Sequence, residues 1–394
     1  MRTIGVVTTS RADYGIYRPV LQKIRSDRSL ALKLFVSGTH LSPAFGMTVS
    51  EIEADGYTVN ERVKMPISSD SPLAVAKAMA MGTAGFARAF ARSRLDILVV
   101  LGDRFEMHSA VVAALPFRIP VAHIHGGEST FGAIDESLRH SITKLSHLHF
   151  ASTEVYARRI IQMGEEPWRV KVSGAPALDA VKSTKLLSAS GMKSRFGLDF
   201  GRPLLLVTFH PATIEHDLAG KQAGELLAAL EAIAMPVVFT MPNADTGGRV
   251  IRRMIEKWVA THPDAQKVEN LGQKGYFSAM ALSAAMVGNS SSGIIEAASF
   301  RLPVVNIGSR QDGRVRGLNV VDTGTGRGEI LAGLKRALEP GFRKSQKALK
   351  NPYGDGRAAE RIVRVLGNVR LDDRLIRKRF YDMPRLKQPT NLKE

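Results

Sequence analysis

Acidic residues and histidines gather where apolar runs stop. Gly102-Asp103-Arg104-Phe105-Glu106 closes the run DILVVL, and His123-Ile124-His125-Gly126-Gly127-Glu128 closes the run that follows it. Asp135, Glu136, Arg139 and His140 come next, in a stretch with helical spacing. Asp103, Glu128 and Asp135 are three acids at the positions where this kind of fold places its chemistry, and paired carboxylates suit proton abstraction and donation. Two have a plainer reading: Asp103 as a helix cap, Asp135 and Arg139 as an ion pair one turn apart. His123, His125 and Glu128 invite a metal site. No further strong ligand is spaced to close it, and Gly126-Gly127 reads as room for a ligand to approach the backbone, so no metal is expected.

A second group of residues suits an anion. Arg11 stands in the turn Thr8–Gly15, between a strand and a helix start, where free N–H groups and a guanidinium can hold a phosphate. There is no GxGxxG here, so a dinucleotide site is not supported. Phe209-His210-Pro211 and Met241-Pro242-Asn243 end two later apolar runs. The strongest phosphate signal is Gly288-Asn289-Ser290-Ser291-Ser292-Gly293, small residues that bare backbone amides, with three hydroxyls added. Glu296, one turn further, can accept from a ribose, and Arg310 and Arg314 add cations. A serine-rich turn caps helices routinely. Several such turns in one chain make the capping explanation of all of them much weaker.

The elements that must carry these turns follow from the pattern. Short apolar runs alternate with amphipathic stretches, the mark of a parallel sheet covered on both faces. The rhythm breaks at about Lys182–Pro203 and then restarts. The fold class read from this is α/β, with two doubly wound Rossmann-like domains facing a cleft: 1–180 with the carboxylates, 181–365 with the phosphate turns, and 366–394 as a tail. Helices are expected over Ala358–Leu366 and Asp372–Phe380. Ligands in such sheets bind beyond the carboxyl ends of the strands.

Composition narrows the classes. The 394 residues contain no cysteine, which excludes a disulfide scaffold and a thiolate metal site. No stretch of 18 apolar residues occurs, and the N-terminal apolar run is too short for a signal peptide. A cytoplasmic protein with no membrane partner is expected. The net charge is +18, and residues 343–394, with 15 Lys/Arg against six Asp/Glu, carry half of it. That favours an anionic partner. Aromatics are only 6%, and none interleave with the basic stretches as a nucleic-acid stacking platform needs, so no nucleic acid is expected.

At these residues the chain resembles the hydrolysing UDP-N-acetylglucosamine 2-epimerases of sialic-acid and related nonulosonic-acid biosynthesis. The resemblance covers roughly 1–365 and rests on TSRADYG at 9–15, LGDRFE at 101–106, HIHGGE at 123–128, GAIDESLRHSITKLSHLHF at 132–150, FHP at 209–211, GNSSSGIIEA at 288–297 and NIGSRQ at 306–311. The non-hydrolysing relatives carry Gly-Asp-Thr where this chain has Gly102-Asp103-Arg104. The resemblance implies a GT-B-like fold in which the last helix crosses back to the first domain. It implies a UDP-binding set of Arg11, His210, Asn243, Ser290, Ser291, Glu296 and Arg310, with Ser292, Gly293 and Arg314 beside them and Arg104 near the diphosphate. Asp103 and Asp135 take the place of catalytic carboxylates. Some members have Glu where this chain has His125, which leaves that role to His125 or to Glu128.

The activity so implied turns a UDP-sugar and water into UDP and the free 2-epimer through a glycal. The sugar is N-acetylglucosamine or a 2,4-diacetamido-trideoxy analogue. No cofactor is implied, and a homodimer or homotetramer is expected. Two rivals stand beside it: a GT-B glycosyltransferase sharing the nucleotide site, and a non-catalytic anion or nucleic-acid binder drawn from the charge.

Overall fold

The apolar runs that end in these motifs are strands. The structure is a computed structural model that describes residues 1–65, 71–129, 134–211, 217–242 and 248–383. Among them, the first sheet holds β1 (Arg2–Thr8), β2 (Leu30–Ser37), β3 (Val59–Val63), β4 (Ile97–Leu101), β5 (Val121–Ile124), β6 (Leu148–Ala151) and β7 (Val170–Val172). The second holds β8 (Leu205–Thr208), β9 (Val237–Thr240), β10 (Ala265–Val268), β11 (Ala285–Gly288), β12 (Val304–Ile307) and β13 (Val320–Thr323). Pairing is parallel within both sheets.

Strand order decides where a ligand can sit. The first sheet runs β3-β2-β1-β4-β5-β6-β7 and the second β10-β9-β8-β11-β12-β13. The winding therefore reverses between β1 and β4 in one and between β8 and β11 in the other. At such a reversal the connections leave in opposite directions and open a crevice beyond the strand ends. The central strands are buried end to end: all five residues of β4 and all four of β8 and of β11 are buried. Full burial of one such aliphatic side chain contributes about 1.5–3 kcal/mol, which fixes the strands and hence the turns that follow them.

The chain forms two compact units. One contains Met1–Glu128, Ala133–Pro176 and Arg357–Glu394; the other contains Ser129–Gly132 and Ala177–Gly356. The helix Ala358–Asn368 buries Ala359, Ile362, Val363 and Leu366 in the core of the first unit, and the Arg2 guanidinium binds the carbonyls of Leu366 and Val369. No helix of the described residues is long and apolar enough to cross a membrane.

Three expectations are corrected. The break at 182–203 contains a helix, Ala189–Phe196, capped by Ser188. The tail helix is Asp373–Ile376 and stops there. Its carbonyls are taken by a side chain instead of by the next turn: the buried Arg169 guanidinium donates to Leu375 O at 2.8 Å, Arg374 O at 2.7 Å and Arg377 O at 3.5 Å. Finally, the strand β13 and the helix Arg327–Leu338 extend the second unit beyond the alternation read from sequence.

Candidate functional site

At the reversal of the first sheet, the turn after β1 is organised by a buried carboxylate. Asp13 accepts from the backbone N–H of Thr9 (3.1 Å) and Ser10 (2.8 Å) and from the hydroxyls of Thr8, Thr9 (2.7 Å) and Ser10 (2.9 Å). Burial pushes its proton affinity up despite these donors. The Thr8 hydroxyl also meets His40 Nε2 at 3.0 Å, and burial pulls that imidazole down to about 4. Arg11, the expected phosphate ligand of this turn, has a side chain 61% exposed and lies 3.6 Å from Glu51.

The turn after β4 carries Asp103 and Arg104. Arg104 grips the fully buried Glu106 with two bonds, Nη2 to Oε1 at 2.6 Å and Nε to Oε2 at 3.1 Å. Burial works against its charge, but Glu106, then Asp13 and Asp135, outweigh it and hold the guanidinium ionised. Asp103 is held by the buried Arg139, which also reaches Glu136 at 3.3 Å. The sequence suggested Asp135 as the partner of Arg139; Arg139 instead turns to Asp103 on the neighbouring turn. Asp135 stays half-buried, within electrostatic reach of Arg104.

Beyond β5 the two histidines part company. His123 is in the strand, its Nε2 donating to Gly102 O at 2.7 Å and its Nδ1 3.2 Å from the Thr143 hydroxyl; burial pulls it down to about 3. His125 follows the strand end with φ 64°, in the left-handed region. Its Nδ1 lies 2.5 Å from Glu128 Oε1, which also accepts from Ser152 Oγ at 2.8 Å. The glycines between them are closely packed. A Cβ on Gly126 would come 2.9 Å from His123 Nδ1, and one on Gly127 2.5 Å from Tyr156 O.

In the second unit, β8 and β11 end side by side, with Thr208 level with Gly288. Gly288 has φ 131°, and a Cβ there would stand 1.9 Å from Thr208 O, so only glycine fits. The buried Asn289 brackets His210: the His210 N–H donates to Asn289 Oδ1, and Asn289 Nδ2 donates to His210 O, both at 2.8 Å. The Asn289 carbonyl accepts from Arg310 Nη1 at 3.1 Å and Gln311 Nε2 at 2.9 Å. Ser290 caps the helix Ser291–Ile295, accepting from the Ser292 N–H at 3.3 Å, and the Gly293 N–H donates to Ser290 O. Glu296 closes that helix and acts on Tyr276, whose hydroxyl burial pushes up.

Arg316 fixes the following loop by donating to Gln311 O (2.5 Å) and Arg314 O (2.9 Å) while pairing with Asp322 at 3.0 Å. Arg314 thus lies in an ordered turn. Asn243 lies outside the described residues. The structure therefore gathers His210, Ser290, Ser291, Ser292, Gly293, Glu296 and Arg310 around the reversal of the second sheet, and Asp103, Arg104, His125, Glu128 and Asp135 around the carboxyl ends of β4 and β5. Sequence reasoning missed Asn289, Glu106 and Arg139 as the groups that hold them. Asn289 and Glu106 stood inside the motifs already singled out.

The sequence model of the family described as UDP-N-acetylglucosamine 2-epimerase matches residues 22–367. The chain is 38% identical to the UDP-N,N'-diacetylbacillosamine 2-epimerase (hydrolyzing) of Legionella pneumophila, over 96% of this chain and 99% of that one. It is 35% identical to the GDP/UDP-N,N'-diacetylbacillosamine 2-epimerase (hydrolyzing) of Campylobacter jejuni, over 97% and 99%. Its fold is that of the UDP-GlcNAc 2-epimerase of Neisseria meningitidis solved with UDP-GlcNAc, at TM-score 0.79 and 18% identity over 93% and 99% of the two chains.

Proposed function

Because the chain belongs to the UDP-N-acetylglucosamine 2-epimerase family, we propose that it is a hydrolysing 2-epimerase acting on a UDP-2,4-diacetamido-trideoxyhexose. It releases UDP and the free 2-epimer, for nonulosonic-acid biosynthesis. The observation that carries this reading is the near-full-length similarity to two enzymes named for that hydrolysing reaction on diacetylbacillosamine. UDP-N-acetylglucosamine is the second candidate substrate, since the Neisseria neighbour was solved with it.

His210, Asn243, Ser290, Ser291, Ser292, Gly293, Glu296, Arg310 and Arg314 bind UDP, and Arg11 and Arg104 stabilise the leaving diphosphate. The C2 proton of the sugar is not acidic, so C1–O cleavage leads and positive charge builds at C1. A fixed negative charge beside it lowers the barrier. Asp103, paired with Arg139, suits that role, and Asp135 lies near enough to Arg104 to join it. Loss of the C2 proton gives the glycal; water then adds at C1 while C2 is reprotonated on the opposite face. The enzyme works as a homodimer or homotetramer in the cytoplasm, with no cofactor.

NMR of the purified protein with each UDP-sugar tests the reading. The expected product is free 2-epimer plus UDP, carrying one deuterium at C2 in D2O and, before mutarotation, 18O at the anomeric oxygen in labelled water. A 2-epimer still attached to UDP, or no deuterium at C2, overturns it.

A further inference from the structure

Which group takes the C2 proton is a separate question, and the geometry at the end of β5 answers it. The His125 side chain is 10% exposed, and its backbone is held in the left-handed region by an N–H bond to Phe150 O at 3.1 Å on β6. That conformation is uncommon for a residue other than glycine and is tolerated where the surroundings impose it. A carboxylate can only accept, so Glu128 fixes the ring proton on Nδ1 and leaves the lone pair of the neutral imidazole on Nε2. Ser152 in turn orients Glu128. His125 Nε2 is buried and has no hydrogen-bond partner among the described residues. A buried acceptor left unmatched is costly to the fold.

The neighbouring groups are otherwise committed. Both nitrogens of His123 are engaged, and burial keeps that ring neutral. Asp103 is tied to Arg139. The register sets Leu101 beside Ile124, so the turns that carry Asp103 and His125 leave the sheet from adjacent strand ends. Around the ring, the titratable groups are Glu128 on its own turn and His123 on β5, with His149 on β6 within electrostatic range of His123.

Resting on the function proposed above, we infer that His125 is the base that removes the C2 proton and that Glu128 is its positioning residue. As the C1–O bond breaks, its electron pair leaves with UDP. The C2–H pair becomes the C1=C2 bond of the glycal, and the proton passes to Nε2. The imidazolium so formed is stabilised by Glu128, as in a carboxylate–histidine pair of a hydrolase triad. Water then adds at C1, the proton it releases restoring the acid that has protonated C2 from the opposite face, and His125 returns its proton to solvent.

The test uses His125→Asn, because asparagine accepts the left-handed conformation. The variant is given the UDP-sugar and, separately, the corresponding 2-acetamidoglucal. We expect kcat on the UDP-sugar to fall about 10²-fold or more, UDP affinity to stay within twofold, and hydration of the glycal to stay within tenfold, since that half needs no C2 base. Glu128→Gln should lower kcat with KM unchanged and move the acid limb of the kcat–pH profile to lower pH, which a packing role would not do. Wild-type turnover in His125→Asn, or equal loss of both reactions, overturns the inference. Failure of the wild type to form any free 2-epimer counts against the function itself and is read separately.

Discussion

The side-chain amide of Asn289 occupies both backbone groups of His210, donor to carbonyl and acceptor to N–H, at 2.8 Å each. One buried residue thereby ties the turn after β8 to the turn after β11, and through its own carbonyl it also holds Arg310. Asn289→Ala should weaken UDP binding about tenfold, the scale of one or two neutral hydrogen bonds. Asn289→Asp should be worse, since it loses the donor and sets a negative charge where phosphates are proposed to sit. Calorimetric titration with UDP checks both; unchanged affinity in Asn289→Asp would remove this turn from the nucleotide site.

Asp103→Asn should cut kcat about 10²–10³-fold, the scale of losing one preorganised electrostatic contact, while UDP affinity stays within twofold. Arg139 keeps Glu136 in that variant, so the fold should hold. Steady-state kinetics beside a UDP titration separates the two effects, and an unaltered kcat would dismiss Asp103.

The C-terminal segment is fastened by charge. Glu165 is fully buried between Lys144 Nζ (2.7 Å), Lys378 Nζ (2.7 Å) and His149 Nε2 (3.0 Å). Burial alone would raise its proton affinity, yet these donors hold it at about 2. Lys378→Met should lower stability by about 3 kcal/mol, because it leaves a buried carboxylate short of a partner. Ending the chain at Met383 keeps every one of these contacts and should leave kcat and the melting point alone. Denaturant unfolding checks both; unchanged stability in Lys378→Met would mean that the segment is merely draped on the surface.

Stability should fall steeply in mild acid. His40 and His147 are pulled to about 4 and His123 to about 3, chiefly by burial, against 6.5 unfolded. Below pH 6.5 the unfolded chain takes up protons that the folded one refuses. Each histidine then removes up to about 1.4 kcal/mol per pH unit until its folded value is passed. Glu165 adds its own loss further down, as pH falls from 4.5 towards 2. Thermal melts at pH 7, 6 and 5 should step downward; a flat melting point over that range would contradict the buried neutral rings.

Much of the site was legible because its signals are local. Gly288, the Ser290 cap and the acid after each strand are read from a few neighbouring residues. What escaped depends on distant partners. Arg139 sits one turn from Asp135, which is what spacing can see, but its guanidinium goes to Asp103, 36 residues back. The tail pattern promised a helix to Phe380, and Arg169, some two hundred residues upstream, claims its carbonyls after one turn. Gly126 and Gly127 suggested an approaching ligand, whereas the close atoms belong to His123 and Tyr156. The helix Arg327–Leu338 had a readable start, with Glu329 in its first turn and Ile330, Leu334 and Ala337 on one face.

The first unit takes part of its core from residues that follow the whole of the second. Helix Arg11–Ser26 packs against Ala358–Asn368, and Leu375 belongs to the same apolar cluster. On the ribosome the order of events is therefore fixed. A nascent chain that has emerged only through Pro176 owns seven strands but lacks the cover for one face, and must wait while the second unit is made. The second unit, drawn almost wholly from Ala177–Gly356, can close as soon as that stretch is out. The first unit is therefore completed only by residues that are translated after the second.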